Sequence, residues 1–209
     1  MKTFVNFLSA FRILAAFVMI PLLWMVPRAT THAMLSSMAW AAFIVFAVAA
    51  MTDFFDGWLA KKYNVVTKLG GVMDHIGDKL LVANTFIVLA IITPSWFVAV
   101  PIIIMIAREL YISGLREFLG TQKIEMPVPS ARMSMGKIKT TLQMVTITAF
   151  LLIYVVASVM QPNSAGFIIR VLYALPNIAL IGLWLSLIAS VWSATQYTFT
   201  FIEKLKKIK

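Results

Sequence analysis

Residues 34–92 read MLSSMAWAAFIVFAVAAMTDFFDGWLAKKYNVVTKLGGVMDHIGDKLLVANTFIVLAII. An apolar run beginning near Met34 turns polar at Asp53. The segment Asp53-Phe54-Phe55-Asp56-Gly57-Trp58-Leu59-Ala60-Lys61 follows, and Gly70-Gly71 precedes Asp74 and Asp78. A second apolar run then continues to just before Pro94. Each run is close to the roughly 20 residues that a helix needs to cross a bilayer. The link between them is short and holds half of the chain's eight acidic residues. Two membrane-crossing helices joined at one aqueous edge is the arrangement this pattern predicts.

The same pattern extends outward. Further apolar segments run from near Leu8 to Val26, from Trp96 to about Phe118, from near Lys137 to before Pro162, and from about Val171 to Phe201. The chain is 61% hydrophobic and 12% charged, whereas soluble domains average about 45–50% apolar and about 25% charged. The expected fold class is therefore an all-α integral membrane protein with six transmembrane helices. Met1 to Phe11 is expected to lie partly along the surface as an interfacial segment. The 209 residues suit a single domain, 1–209. No cysteine is present, which excludes thiolate metal sites, disulfides and cysteine nucleophiles. A cleaved signal peptide is not expected, because the first apolar run contains Arg12 and lacks a small-residue cleavage site before Pro21 and Trp24.

The formal net charge of +10 would suggest nucleic acid in a soluble protein. Here the distribution of cations argues for membrane lipids as partners and against nucleic acid. Of the 18 basic residues, all but Arg28 and Arg170 fall on one side of the six-span arrangement, together with every acidic residue. The positive-inside rule makes that side cytoplasmic, with both termini on it. Trp24, Trp96 and Tyr173 fall near span ends on the other side, where an interfacial aromatic belt belongs.

Asp53 and Asp56 are three apart at the end of one apolar helix, and Asp74 and Asp78 are four apart at the start of the next. Both offsets share a helix face. Four carboxylates therefore converge at the mouth of the membrane, and ionisable groups at such depth mark a functional path. A divalent cation relieves their repulsion. Oxygen ligands without His or Cys point to Mg2+ or Mn2+, and two ions about 4 Å apart are an established arrangement for phosphoryl transfer. Gly57 and Ala60 leave room for a flat ligand against the helix backbone, or for a close helix neighbour. Gly70 and Gly71 loosen the link, and Lys61 offers a cation to a phosphate.

These residues resemble the signature of the CDP-alcohol phosphotransferase family, Asp-x-x-Asp-Gly-x-x-Ala-Arg, eight residues, Gly-x-x-x-Asp-x-x-x-Asp. Asp53, Asp56, Gly57, Ala60, Gly70, Asp74 and Asp78 stand in register, and Lys61 replaces the arginine. Lysine keeps the charge and loses the bidentate fork. The resemblance implies the six-helix CDP-alcohol phosphotransferase fold, a homodimer, and transfer of a substituted phosphate from a CDP-linked donor to an alcohol with release of CMP. It implies metal ligation by Asp53, Asp56, Asp74 and Asp78, with Asp78 as general base. It also implies a CDP-binding set of Asp53, Asp56, Gly57, Ala60, Lys61, Gly70 and Asp74, with Gly57 and Ala60 at the cytidine and Lys61 at the diphosphate.

Arg108 and Arg116 lie two turns apart in Arg-Glu-Leu-Tyr-Ile-Ser-Gly-Leu-Arg-Glu, and Lys137 and Lys139 open the fifth span. A basic pocket on the aspartates' side suggests an anionic acceptor. Glu109 and Glu117 are placed to position the arginines. These segments, with Ser9 and Arg12, resemble bacterial members of the family that make phosphatidylglycerophosphate. That implies CDP-diacylglycerol as donor, sn-glycerol 3-phosphate as acceptor, and the bacterial inner (cytoplasmic) membrane as the location. His75 departs from that pattern, which commonly has proline there. Gln143, one turn beyond Lys139, is placed to bond either substrate or a neighbouring helix. The competing readings are a cardiolipin synthase of the same family, with phosphatidylglycerol as acceptor, and a divalent-cation transporter using the four aspartates. Transport sites usually sit at the bilayer midplane, whereas these acids sit at one surface.

Overall fold

The computed structural model describes residues 2–63, 68–122, 135–159 and 166–206, without the side chains of 2–6, 53–63, 68–70, 74, 135, 137, 167 and 168. Its helices are α1 (Lys2–Met25), α2 (His32–Tyr63), α3 (Lys68–Ile92), α4 (Trp96–Thr121), α5 (Met135–Ser158) and α6 (Gly166–Lys206), with one 3-10 turn at Val26–Arg28. No strand occurs among the described residues. Each helix contains a stretch long and apolar enough to cross a membrane. The chain is thus a multi-pass all-α membrane protein, as its apolar runs require: lipid supplies no partner for a backbone amide, so each span must close its own hydrogen bonds. α1 begins at Lys2.

Local chemistry sets the ends. Arg28 donates to the Trp24 carbonyl at 2.7 Å and lays its guanidinium 3.8 Å from the Trp24 ring centroid, which closes the C-terminus of α1. Thr31 accepts from the Met34 amide at 3.2 Å and caps the start of α2. Ser95, just after Pro94, is extended, and its carbonyl takes the Val98 and Ala99 amides that begin α4. Trp96 and Tyr173 are 83% and 76% exposed. That exposure matches the expected interfacial anchors.

Two helices are much longer than a bilayer requires. α6 has 41 residues, about 62 Å at 1.5 Å per residue, against a hydrocarbon core of about 30 Å. α2 has 32 residues and continues to Tyr63. Asp53 and Asp56 sit on that continuation.

The chain forms two compact units. The first comprises Met1–Pro94 and Ile147–Ala179. Within it α1 packs against α2 and α3. The buried stripe of α1 is Ser9, Arg12, Ala16, Met19 and Leu23, and that of α3 includes Gly77, Leu81, Thr85 and Leu89. α2 buries Ala39, Ala42, Phe46 and Ala49, a spacing of small residues that brings helices close in lipid. Asn84 donates to the Ala16 carbonyl at 3.1 Å and sets the register of α1 on α3. Leu14, Phe17, Ile44 and Ile91 stay exposed, as lipid contact demands.

The second unit comprises Ser95–Thr146 and Leu180–Lys209. Ile102, Met105, Ile112 and Leu119 of α4 and Leu183 and Leu187 of α6 are buried in the chain. α5 meets α6 at Thr146, whose hydroxyl lies 3.4 Å from that of Ser186. Gly182 makes this approach possible, because a Cβ there would come within 2.8 Å of Thr146 Oγ1. Gly182→Ala should therefore lower the thermal midpoint of the detergent-solubilised protein, by about 1–3 kcal/mol of overpacking. The same change in a Thr146→Ala background should cost far less. Equal losses in both backgrounds would show that the Thr146 contact is not what holds the glycine in place.

Candidate active site

The helix register carries the acids to one end of two elements. Asp53 directly follows the apolar stretch of α2, and Asp56 is three residues further along the same helix. Asp74 and Asp78 lie in the opening turns of the apolar stretch of α3. The side chains of Asp53, Asp56, Gly57, Ala60, Lys61, Gly70 and Asp74 lie outside the described residues, and so does the expected meeting of the four carboxylates.

Asp78 is described, and it has a partner that helix spacing alone does not reveal. Arg12 of α1 donates from Nη1 to Asp78 Oδ1. The Arg12 side chain is completely buried, whereas that of Asp78 keeps 32% of its surface. The two are 66 residues apart in sequence. Gly77 lies against this arginine: a Cβ there would meet Arg12 Cβ at 3.4 Å and Arg12 Cδ at 3.5 Å, ordinary van der Waals contact. A charge buried in a span is costly unless it is paired, and the Asp78 carboxylate supplies a counter-charge to Arg12. His75 is exposed.

The second unit holds the basic residues of α4 and α5. Arg108 is nearly buried, and its guanidinium is gripped on three sides. Nε donates to the Ser190 carbonyl at 3.0 Å, Nη2 to Ser193 Oγ at 2.9 Å, and Nη1 to Glu109 Oε2 at 3.0 Å. Glu109 also accepts from Lys139 Nζ. One carboxylate thus ties two cations on α4 and α5, the positioning role expected of it. Arg116 is exposed, donates to the Tyr197 hydroxyl at 2.9 Å, and lies 4.9 Å from that ring's centroid. Gln143 is buried and donates to Met105 Sδ at 3.5 Å, so it bonds a neighbouring helix. The side chain of Lys137 lies outside the described residues. Beside Arg108, an open groove of about 520 Å³ runs between α4 and α6, lined mainly by apolar residues such as Ile104, Ala107 and Phe199.

Sequence reading passed over Arg12 as a working residue. The available signal was a lone arginine inside an apolar run, which in a membrane span demands a counter-ion. It also took Arg108 and Arg116 as equivalent, whereas one is locked into α6 and the other is exposed.

A family model described as CDP-alcohol phosphatidyltransferase matches residues 2–192. A Rickettsia bellii (strain RML369-C) protein named CDP-diacylglycerol–glycerol-3-phosphate 3-phosphatidyltransferase is 42% identical over 109 residues, which is 52% of this chain and 57% of that protein. A Rickettsia felis (strain ATCC VR-1525 / URRWXCal2) protein of the same name is 40% identical over the same shares. The chain thus spans little more than half the length of these two relatives. An Escherichia coli (strain K12) protein, also of that name, is 40% identical over 157 residues, 75% of this chain and 76% of its own length.

The different settings of the two arginines have a measurable consequence. Arg108→Met should destabilise the solubilised protein by about 2–4 kcal/mol, since it removes the bonds to the Ser190 carbonyl and Ser193 Oγ and leaves Glu109 with one cation fewer. Arg116→Met should cost under about 1 kcal/mol. Similar thermal shifts for the two would contradict the structural role assigned to Arg108.

Proposed function

The chain belongs to the CDP-alcohol phosphatidyltransferase family, and from that membership we propose that it moves the phosphatidyl group of CDP-diacylglycerol to sn-glycerol 3-phosphate, giving phosphatidylglycerophosphate and CMP. The observation that carries the reading is the full register of Asp53, Asp56, Gly57, Ala60, Gly70, Asp74 and Asp78 on the adjoining ends of α2 and α3. The choice of acceptor is supported by relatives 40–42% identical whose name specifies glycerol 3-phosphate.

The chemistry is a displacement at the phosphorus that bears the diacylglycerol. A hydroxyl oxygen of the acceptor forms the new P–O bond, and the bond to the CMP phosphate breaks. The hydroxyl proton passes to Asp78, which must lie within hydrogen-bond reach of it. Lys61 holds the diphosphate, while Gly57 and Ala60 admit the cytidine and Asp53, Asp56, Gly70 and Asp74 complete the CDP site. Arg116, Lys137 and Lys139 receive the acceptor's phosphate, with Arg108 and Glu109 fixing that basic surface. The four aspartates form an oxygen-only donor set, which suits Mg2+ or Mn2+ and fits a pair of ions. Such ions would spread the negative charge of the diphosphate and the departing CMP.

We further place the enzyme in the bacterial inner membrane as one domain, 1–209, acting as a homodimer. Both termini and the active site then face the cytoplasm. The concentration of basic residues on that side supports the orientation.

Release of CMP from CDP-diacylglycerol should depend on added glycerol 3-phosphate. Dependence on phosphatidylglycerol instead would identify a cardiolipin synthase, and metal flux into proteoliposomes without nucleotide would identify a transporter. Asp78→Asn should abolish turnover and leave binding of the CDP-lipid intact. Arg116→Ala should raise KM for glycerol 3-phosphate by about tenfold or more, the loss of one charge-assisted hydrogen bond, and leave KM for the donor nearly unchanged. Equal effects on both constants would remove the separate acceptor site.

A further inference from the structure

We propose that Arg12 is a positioning residue for the transfer reaction: it holds the Asp78 carboxylate from the buried side of α1 and fixes the direction from which Asp78 meets the acceptor hydroxyl. The inference rests on the role given to Asp78 above and extends it to a helix that contributes no residue to the aspartate signature.

Three features of the first unit support it. First, the ion pair is asymmetric. Arg12 is wholly buried and contacts Oδ1, while Asp78 keeps about a third of its surface. The guanidinium therefore holds the carboxylate from the buried side, and Asp78 keeps surface with which to meet another group. Second, the grip is built into the backbone. Gly77 lies against the Arg12 stem and Ile13, and about two turns further along α3 Asn84 hydrogen-bonds the Ala16 carbonyl. These contacts fix α1 on α3 at the height of Asp78. Third, packing alone does not call for a charge here. Replacing a buried ion pair with apolar residues of similar volume is often neutral or stabilising, and α1 already buries Ala16, Met19 and Leu23 beyond Arg12. A carboxylate that must accept a proton along one line of attack gains from a fixed orientation, because misplacement by about 1 Å can cost about 100-fold in rate.

The test uses the full-length protein in mixed micelles with CDP-diacylglycerol and glycerol 3-phosphate, together with thermal unfolding in chelator without substrates. Arg12→Met should lower kcat by about 100-fold and leave KM for both substrates within threefold, roughly the scatter that context imposes on a remote contact. Arg12→Lys should recover a large part of the loss, because it restores a cation to Asp78. In unfolding, the Arg12→Met/Asp78→Asn double variant should be less destabilised than the sum of the two single changes, the mark of a direct pair. If Arg12→Met does not fold, Gly77→Val supplies the second probe. It keeps both charges but pushes the Arg12 stem off α3, and kcat should fall again. Wild-type kcat in Arg12→Met or in Gly77→Val would overturn the proposal, and so would additive midpoints in the unfolding cycle. Failure of the underlying functional reading looks different: the wild-type protein itself would release no CMP.

Discussion

Hydrocarbon offers no hydrogen bond to a peptide group or to a polar side chain, and this constraint shapes every described element. The backbone answers it by staying helical. The small hydroxyls answer it by bonding back to their own helices: Thr85 to the Leu81 carbonyl at 2.7 Å, Ser186 to Gly182 at 2.8 Å, and Ser158 to Val155 at 2.8 Å. Groups too large or too charged for that remedy need a second helix. Asn84 finds Ala16, Gln143 finds Met105, Arg108 finds Ser190 and Ser193, and Arg12 finds Asp78. Each of these long-range bonds links helices far apart in sequence, so polar satisfaction and tertiary structure are one problem here. Apolar packing could be met by many registers; the polar bonds are met by few.

The charges divide into two kinds on this basis. Some are consumed by the fold. Arg108 has its guanidinium committed to α6 and Glu109, and it is held in place as firmly as a core residue. Others remain presented at the surface, as Arg116 does with only a tyrosine beside it. Glu109 stands between the two kinds: it joins Arg108 to Lys139, both buried, and relieves the repulsion of two cations that α4 and α5 bring together.

The spans were legible in sequence because apolar run length is a direct physical requirement of lipid. Trp96 begins α4 as read. The ends were less legible. α6 starts at Gly166, before the expected Val171, because helices continue into water wherever nothing breaks them. At the site, the aspartate register could be read because residues three or four apart on one helix are neighbours by geometry. The pairing of Arg12 with Asp78 could not, since spacing within a helix says nothing about a partner 66 residues away. For the same reason Arg108 and Arg116, on one face by spacing, gave no sign that one would be anchored to Ser190 and Ser193 and the other to Tyr197.

The separation of Arg12 from its counter-ion also bears on how the protein reaches the membrane. A ribosome adding about 5–20 residues per second needs roughly 3 to 13 seconds to travel from one to the other. During that interval the nascent first span carries Arg12 without Asp78, and a cation in a span is a burden of about 2.5–3.5 kcal/mol on translocon-insertion scales. The Arg12–Asp78 contact forms only once α3 has emerged, so the docking of α1 on α3 comes after the first span has already met the membrane.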